Sequence, residues 1–381
     1  MSFARASHSP LLDHCPQGLP ADAYYSPDWY AQESRSLWMN NWVALGRLSD
    51  LERGSMRREN VAGASILLCR MASGEVSAYH NTCRHRGAEL CSVDSQPLGK
   101  LITCPYHAWA YNAANGKLIS VAHATPTADF KKDEHSLFPV QVKIWCGFIF
   151  VKLSNDAREL APDLGLDALK NWPMDELVTG HRMVKDLACN WKVFWDNYNE
   201  CLHCPGIHPE LCDMVPVYKR GIMSANEAPD WQPGSEPTSN LKPGAHSWTM
   251  TGAVCGPEFP NLTDRERANG YNFVTLYPSM YVVAHTDYVR SVRLMPTGPD
   301  TLRLTAEWHF PQATLDQPGF DAAQVAAFAK IVLAQDSDAA EMNQRGLRSP
   351  AFSRGTLMPQ EFDIYRFHNW VQDEMKRETA K

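Results

Sequence analysis

Four residues in two short runs have the chemistry to hold a metal group: Cys83-Arg84-His85 and, further on, Cys104-Pro105-Tyr106-His107. Each run offers one thiolate and one imidazole. Two cysteines with two histidines suit a tetrahedral zinc ion. They equally suit a [2Fe–2S] cluster in which two histidines replace two cysteines on one iron. Ligand types alone do not separate these. Gly87 and Pro105 would let two loop tips approach the group and aim backbone N–H groups at its sulfurs.

A second set lies downstream. His203 and His208 are five positions apart, which on a continuous helix is about 140° of rotation and too wide for one metal. Pro205 and Gly206 lie between them and predict a break that swings His208 back towards His203. Glu200, three before His203, is expected on the same helical face. Two histidines and a carboxylate on one face of a metal form the triad of non-haem Fe(II) oxygen chemistry, with positions left open. The carboxylate is expected from Asp336. Val325, Phe328, Val332 and Asp336 share a stripe at helical spacing, with Asp338 on its edge, and a carboxylate on an apolar stripe needs a partner. By type alone, the histidines also fit a hydrogen-bonded core pair, and Asp336 a cap or an arginine partner.

These residues need elements to position them. Residues 26–41 open on Ser-Pro-Asp and read as helical. From 42 to 153, short β-type runs such as 65–70 and 147–152 alternate with glycine, asparagine and proline turns, which predicts a small all-β domain around the first set. Beyond 155 the character is mixed, with helical patterns at 189–200 and 322–347 and β-type runs at 272–277, 281–284, 289–294 and 302–310. The Gly-, Pro-, Ser- and Asn-rich stretch 219–260 reads as a long loop, and such loops often border sites. The expected organisation is an N-terminal helical segment (1–41) packing with the larger domain, an all-β domain (42–155) and that larger α+β domain (156–381).

The chain has 381 residues and a formal net charge of −7. An acidic balance argues against nucleic acid or an anionic membrane surface as partner. No apolar run approaches the roughly 18 residues of a membrane span, and the N-terminus has no signal-peptide pattern, so a cytoplasmic protein is expected. Eleven cysteines, an odd count, argue against a disulfide framework. Cys15, Cys69, Cys146, Cys189 and Cys255 are read as small buried hydrophobes.

The run Cys83-Arg84-His85-Arg86-Gly87, followed by Cys104-Pro105-Tyr106-His107-Ala108-Trp109, resembles the paired loops of the Rieske domain in ring-hydroxylating oxygenases. Ala88 and Ala108 stand near where Rieske proteins of respiratory complexes carry extra disulfide cysteines, so the oxygenase branch fits better. The resemblance implies Cys83 and Cys104 on one iron of a [2Fe–2S] cluster, and His85 and His107 on the other. Glu200-x-x-His203-x₄-His208 is similar to the mononuclear iron motif of the oxygenase α-subunits, and Gln335-Asp336 with Glu341, Gln344 and Ser349-Pro350 resembles their ligand helix. This implies an Fe(II) held by His203, His208 and Asp336. Glu200 stands where most ring-hydroxylating members carry aspartate. The implied role of that carboxylate is to link a histidine of the lone iron to a cluster histidine of the neighbouring subunit. Glutamate within Asn-Glu-Cys-x-His-Cys-x₃-His-Pro-Glu-Leu is similar to members that oxidise quaternary ammonium compounds.

The fold so implied is a small all-β Rieske domain inserted near the N-terminus of a larger helix-grip-like α+β domain with a central antiparallel sheet. The implied function is the oxygenase component of a monooxygenase. It would use O₂, and electrons from NAD(P)H through a separate flavin/iron–sulfur reductase, to hydroxylate or N-demethylate a small quaternary ammonium or betaine-type substrate. A homotrimer is implied. The other readings are an aromatic-ring or aromatic-acid hydroxylating dioxygenase and a Rieske protein that only transfers electrons. Quaternary ammonium groups are held by aromatic faces. Two or three of Trp195, Tyr198, Trp248, Tyr271, Phe273, Tyr277, Tyr281, Tyr288 and Trp308 are expected at a pocket. Arg290 and Arg293 could hold a substrate carboxylate or serve at the surface or in ion pairs.

Overall fold

The structure, a computed structural model, describes residues 8–234 and 239–377. The chain divides into two compact units, Trp38–Leu160 and the rest.

In the smaller unit, short β-branched and aromatic runs pair through tight turns. Seven strands form one antiparallel sheet in the order Val43–Arg47, Phe148–Lys152, Pro139–Trp145, Val76–His80, Ala64–Arg70, Ser55–Val61, Ser95–Pro97. Leu101–Thr103, Trp109–Asn112 and Leu118–Val121 form a second, three-stranded sheet. Met56, Leu67, Tyr79, Leu90, Ile102, Tyr111 and Leu118 build a shared core, and Cys83 and Cys104 belong to it. The two cysteines are therefore fixed by the same apolar packing that holds the sheets together.

The larger unit is built on a five-stranded antiparallel sheet in the order Val178–Leu187, Thr301–Phe310, Val289–Gly298, Met280–His285, Tyr271–Leu276. The outermost strand, Val178–Leu187, alternates between more and less exposed residues, as a strand with one covered face should. Met280–His285 is buried at every position, so both faces of the sheet are covered there. The register places Phe273, Val283, Arg290 and Trp308 in one cross-strand row. Ser291 and Glu307 pair on the opposite face.

Two helices pack with this sheet. Trp191–Tyr198 is capped by Asn190, whose side chain accepts from the Lys192 N–H at 2.9 Å. Ala322–Leu347 is capped by Asp321, which accepts from the Ala323 N–H at 2.8 Å. Its buried stripe runs through Val325, Phe328, Ala329, Val332, Leu333 and Ala340, the helical period read in the sequence. Gln344 ties the two helices together: its Oε1 accepts from the Asn190 N–H at 2.8 Å, and its Nε2 donates to the Tyr24 carbonyl at 3.0 Å.

The N-terminal segment folds as Pro27–Glu33, capped by Ser26, and widens into a π-helical turn over Ser34–Trp38. It is anchored by the fully buried Glu33, which accepts from Lys192 Nζ at 2.6 Å and from Trp191 Nε1 at 2.9 Å. The stretch after Lys219 has no strand among its described residues before Tyr271.

The cysteines depart from expectation in two respects. Cys69 and Cys189 are buried, but Cys15 is exposed and Cys146 and Cys255 are partly so. Cys201 and Cys204 form a disulfide that the sequence reading did not anticipate. The count bears on a framework of many bridges; a single local pair three residues apart escapes it.

Candidate metal centres

The two cysteine–histidine runs form neighbouring turns. In the first, the Cys83 N–H donates to Ala88 O at 2.8 Å and the Gly87 N–H to Cys83 O at 2.9 Å. In the second, the Cys104 N–H donates to Trp109 O at 2.8 Å and the Ala108 N–H to Cys104 O at 3.1 Å. Gly87 takes φ +77° and Ala108 φ +55°, the left-handed conformation such turns require. Asn81 braces the first turn from behind, accepting from the Leu90 and Cys91 N–H groups at 3.0 Å each.

Cys83 and Cys104 are buried, His107 is half-buried and His85 is exposed. The two imidazoles lie edge to face with centroids 4.6 Å apart, and Trp109 stacks under His85 at 4.7 Å. Burial pushes the Cys83 thiol up, the Tyr111 hydroxyl at 3.1 Å opposes this, and the adjacent Cys104 adds to the rise. Two thiols side by side in the core, with two imidazoles side by side at the tips, fit a cluster bound by sulfur on one iron and nitrogen on the other.

The second set converges more tightly. His208 Nε2 lies 2.9 Å from Asp336 Oδ1 and 3.1 Å from His203 Nε2. His203 Nε2 lies 3.6 Å from the same carboxylate oxygen. Both histidines thus turn Nε2 inward. Their outer nitrogens are occupied: His203 Nδ1 by Glu200 Oε1 at 2.5 Å, and His208 Nδ1 by Gln335 Oε1 at 2.8 Å. Gln335 in turn donates to Glu210 at 2.9 Å. This is the outer support that orients metal-binding imidazoles. Burial works against charge on His203, yet the Asp336 and Glu200 carboxylates raise it to about 9. Burial would raise Asp336, and the two histidines hold it below the usual carboxylate range. A divalent cation at the meeting point would take over the role of those protons.

The local path differs from the sequence expectation. The helix ends at Tyr198, so Glu200 and His203 share a turn and not a helical face. The Glu200 side chain folds back to accept from the Leu202 and His203 N–H groups. Pro205 sits in the first turn of the short helix Cys204–Ile207, and His208 is the hinge to the next, Pro209–Met214. The reversal therefore comes from two breaks, at 199–202 and at His208.

A cavity of about 560 Å³ including its mouth opens beside this set. Its lining includes Phe194, Tyr198, Tyr218, Trp248, Phe273, Tyr281, Arg290, Val332 and Asp336. Tyr198, Trp248, Phe273 and Tyr281 were among the nine aromatic candidates, one more than the two or three expected. Trp195, Tyr271, Tyr277, Tyr288 and Trp308 lie outside the lining. The long loop reaches the cavity through Met223 and Trp248.

Residues 41–131 match the Rieske [2Fe–2S] domain, and residues 174–377 match the catalytic domain of the ring-hydroxylating alpha subunit, more than half of the chain. The chain belongs to the ring-hydroxylating alpha-subunit family. It is an oxidoreductase whose two domains carry a Rieske cluster and a non-haem iron. It is 27% identical to the glycine betaine monooxygenase oxygenase subunit of Chromohalobacter salexigens, over 94% of this chain and 85% of that one. Among solved structures it is similar to a quaternary ammonium Rieske monooxygenase studied for carnitine oxidation by gut microbiota (TM-score 0.69, 21% identity, 94% and 95% of the two chains). It is also similar to naphthalene 1,2-dioxygenase from a Rhodococcus species (TM-score 0.67, 19% identity, 95% of each chain). At such identities these two show the shared ring-hydroxylating fold and nothing of the substrate. Among the described residues no helix is long and apolar enough to cross a membrane.

Sequence reasoning missed Phe194, Tyr218 and Glu210. Phe194 and Tyr218 sit at positions with no spacing signal towards the triad, and only the fold brings them to the cavity. Glu210 had one: an acidic residue just after His208, in the first turn of a helix beginning with proline.

Proposed function

We propose that the protein is the oxygenase component of a monooxygenase that hydroxylates an N-methyl carbon of a small quaternary ammonium compound. What carries this reading is the aromatic wall of Tyr198, Trp248, Phe273 and Tyr281 beside the His203–His208–Asp336 set. A quaternary ammonium has no N–H to donate, so its recognition rests on ring faces.

In this reading Cys83, Cys104, His85 and His107 hold the [2Fe–2S] cluster, and His203, His208 and Asp336 hold the lone iron. When bound, the iron supplies O₂ activation at its open positions. The chain's own residues do the rest. The aromatic wall orients one N-methyl group towards the triad. Gln335 and Glu200 keep both imidazoles in the tautomer that presents Nε2 inward. Glu200 also carries the electron path from a cluster histidine of a neighbouring subunit in a homotrimer. A separate flavin/iron–sulfur reductase delivers electrons from NAD(P)H.

The reaction balances as one N-methyl compound, O₂, two electrons and two protons giving the N-hydroxymethyl product and water. That product loses formaldehyde and a proton to leave the tertiary amine. Purified oxygenase, a matched reductase and a panel of N-methyl quaternary compounds test this. Formaldehyde from at least one compound is expected, and none from any would sink the reading.

A further inference from the structure

The cavity holds a charged side chain that neither metal centre uses. Arg290 is only 4% exposed, and its Nε and Nη1 have no hydrogen-bond partner. It lies in the same cross-strand row as Phe273, Val283 and Trp308, and it lines the cavity together with Trp248, Tyr281 and Asp336. Among the described residues no carboxylate pairs with it. Asp336 is committed to the two histidines. His285, on the same sheet face, has both ring nitrogens unpartnered and is kept neutral by burial and by Arg290.

Arg293 shows what an occupied arginine looks like here. It lies on the other face of the sheet and shares Glu307 with Arg182, at 3.5 Å and 2.6 Å. The sequence offered Arg290 and Arg293 as equals, and the strand register separates them.

A buried guanidinium without a counter-charge is destabilising unless something pairs with it. Its planar fork matches a carboxylate in a bidentate geometry. We infer that Arg290 receives a substrate carboxylate, so that the enzyme selects zwitterions, with a quaternary ammonium at one end and a carboxylate at the other, over purely cationic amines. The identity of the ammonium end rests on the function proposed above; the carboxylate end rests on Arg290 alone. A substrate with a hydroxyl in place of the carboxylate would leave the guanidinium unpaired and set two positive charges in one cavity.

The test compares glycine betaine with choline, which share the trimethylammonium head, on the iron-loaded oxygenase. Binding is read by calorimetry and turnover by formaldehyde with the reductase. Wild type is expected to favour glycine betaine by roughly 10–100-fold, the worth of a charge-assisted pair. In R290Q that preference should collapse towards parity, and R290K should keep part of it. The Tm of ligand-free R290Q should equal or exceed that of wild type, because an uncompensated charge has been removed. A marked fall would mark Arg290 as structural and overturn the assignment. Equal binding of both compounds by wild type, or an unchanged preference in R290Q, would also overturn it while leaving the quaternary ammonium reading intact. If neither compound binds, benzoate and acetate are titrated. Binding that R290Q abolishes would keep Arg290 as a carboxylate receptor and reject the ammonium reading, and no binding would reject both.

Discussion

At the scale of single residues, the second metal set is defined by which nitrogen each histidine turns inward. His208→Ala removes a donor that is 1% exposed and in contact with both other members. The iron-to-sulfide ratio should drop from about 3:2 to about 2:2, with the cluster's visible spectrum retained. Glu200→Gln should keep both metals yet slow O₂ consumption by roughly 10–100-fold, as loss of an outer-shell partner does. Metal analysis and oxygen-electrode rates check the pair, and loss of cluster absorbance in either would contradict the assignment. A different residue contributes to the pH dependence of stability. Glu227 is 3% exposed and accepts from the Met223 N–H and the Ser224 hydroxyl, and burial, outweighing these bonds, pushes it up to about 7. The folded chain therefore holds this proton more tightly than the unfolded chain. Stability from this group is full below about pH 4.5, falls as pH rises towards 7, and is flat beyond. The difference corresponds to roughly 3 kcal/mol. Glu227→Gln should flatten that part of the Tm-against-pH curve, and an unchanged slope would contradict it. The convergence of His203, His208 and Asp336 was legible in the sequence because Pro205 and Gly206 break the chain between the histidines and a carboxylate on an apolar stripe needs a partner. Arg290 was legible only as one of two, because facing inward or outward on a strand buried on both sides depends on register, which periodicity does not reveal there.

At the scale of elements, the site depends on how two helices are held. The long helix brings Asp336 to the histidines, and Gln344 and Glu341 fasten it to residues 188–190 at the start of the histidine-bearing segment. That segment is pinned by the buried pair Lys192–Glu33, both members 0% exposed. Among the described residues, Lys192→Met would leave Glu33 with the Trp29 and Trp191 indoles alone. Breaking one partner of a buried pair costs about 3–5 kcal/mol, so Tm should fall by about 10 °C. A double variant that also replaces Glu33 with an apolar residue should recover much of the loss. Differential scanning calorimetry decides this, and a Lys192→Met variant as stable as wild type would contradict the pinning role. Both helices and four of the five strands were readable from their apolar runs, whereas Val178–Leu187, an edge strand with a largely polar, half-exposed sequence, was not. The turns at 199–208 were read for the right contact and the wrong reason. Helical spacing and a tight turn both bring residues three apart together, and only the structure shows where the helix stops.

At the scale of the whole molecule, the two domain matches make an oxygenase subunit of a multi-component system, and the small-molecule cavity lies wholly in the larger unit. An electron carrier would leave the His203–His208–Asp336 set and the cavity beside it without use. The fold does not choose between amine and ring oxidation, because a quaternary ammonium monooxygenase and naphthalene dioxygenase match it about equally well. That choice rests on the aromatic wall, whose role depends on tertiary placement and not on motif. The most direct measurement is product stoichiometry in a reconstituted reaction of oxygenase, reductase and NADH with a trimethylammonium compound. Formaldehyde, NADH oxidised and O₂ consumed are expected in about equal amounts, as the hydroxylation balance requires. Oxygen uptake with benzoate-like acids giving ring hydroxylation, and no formaldehyde from any N-methyl compound, would contradict it.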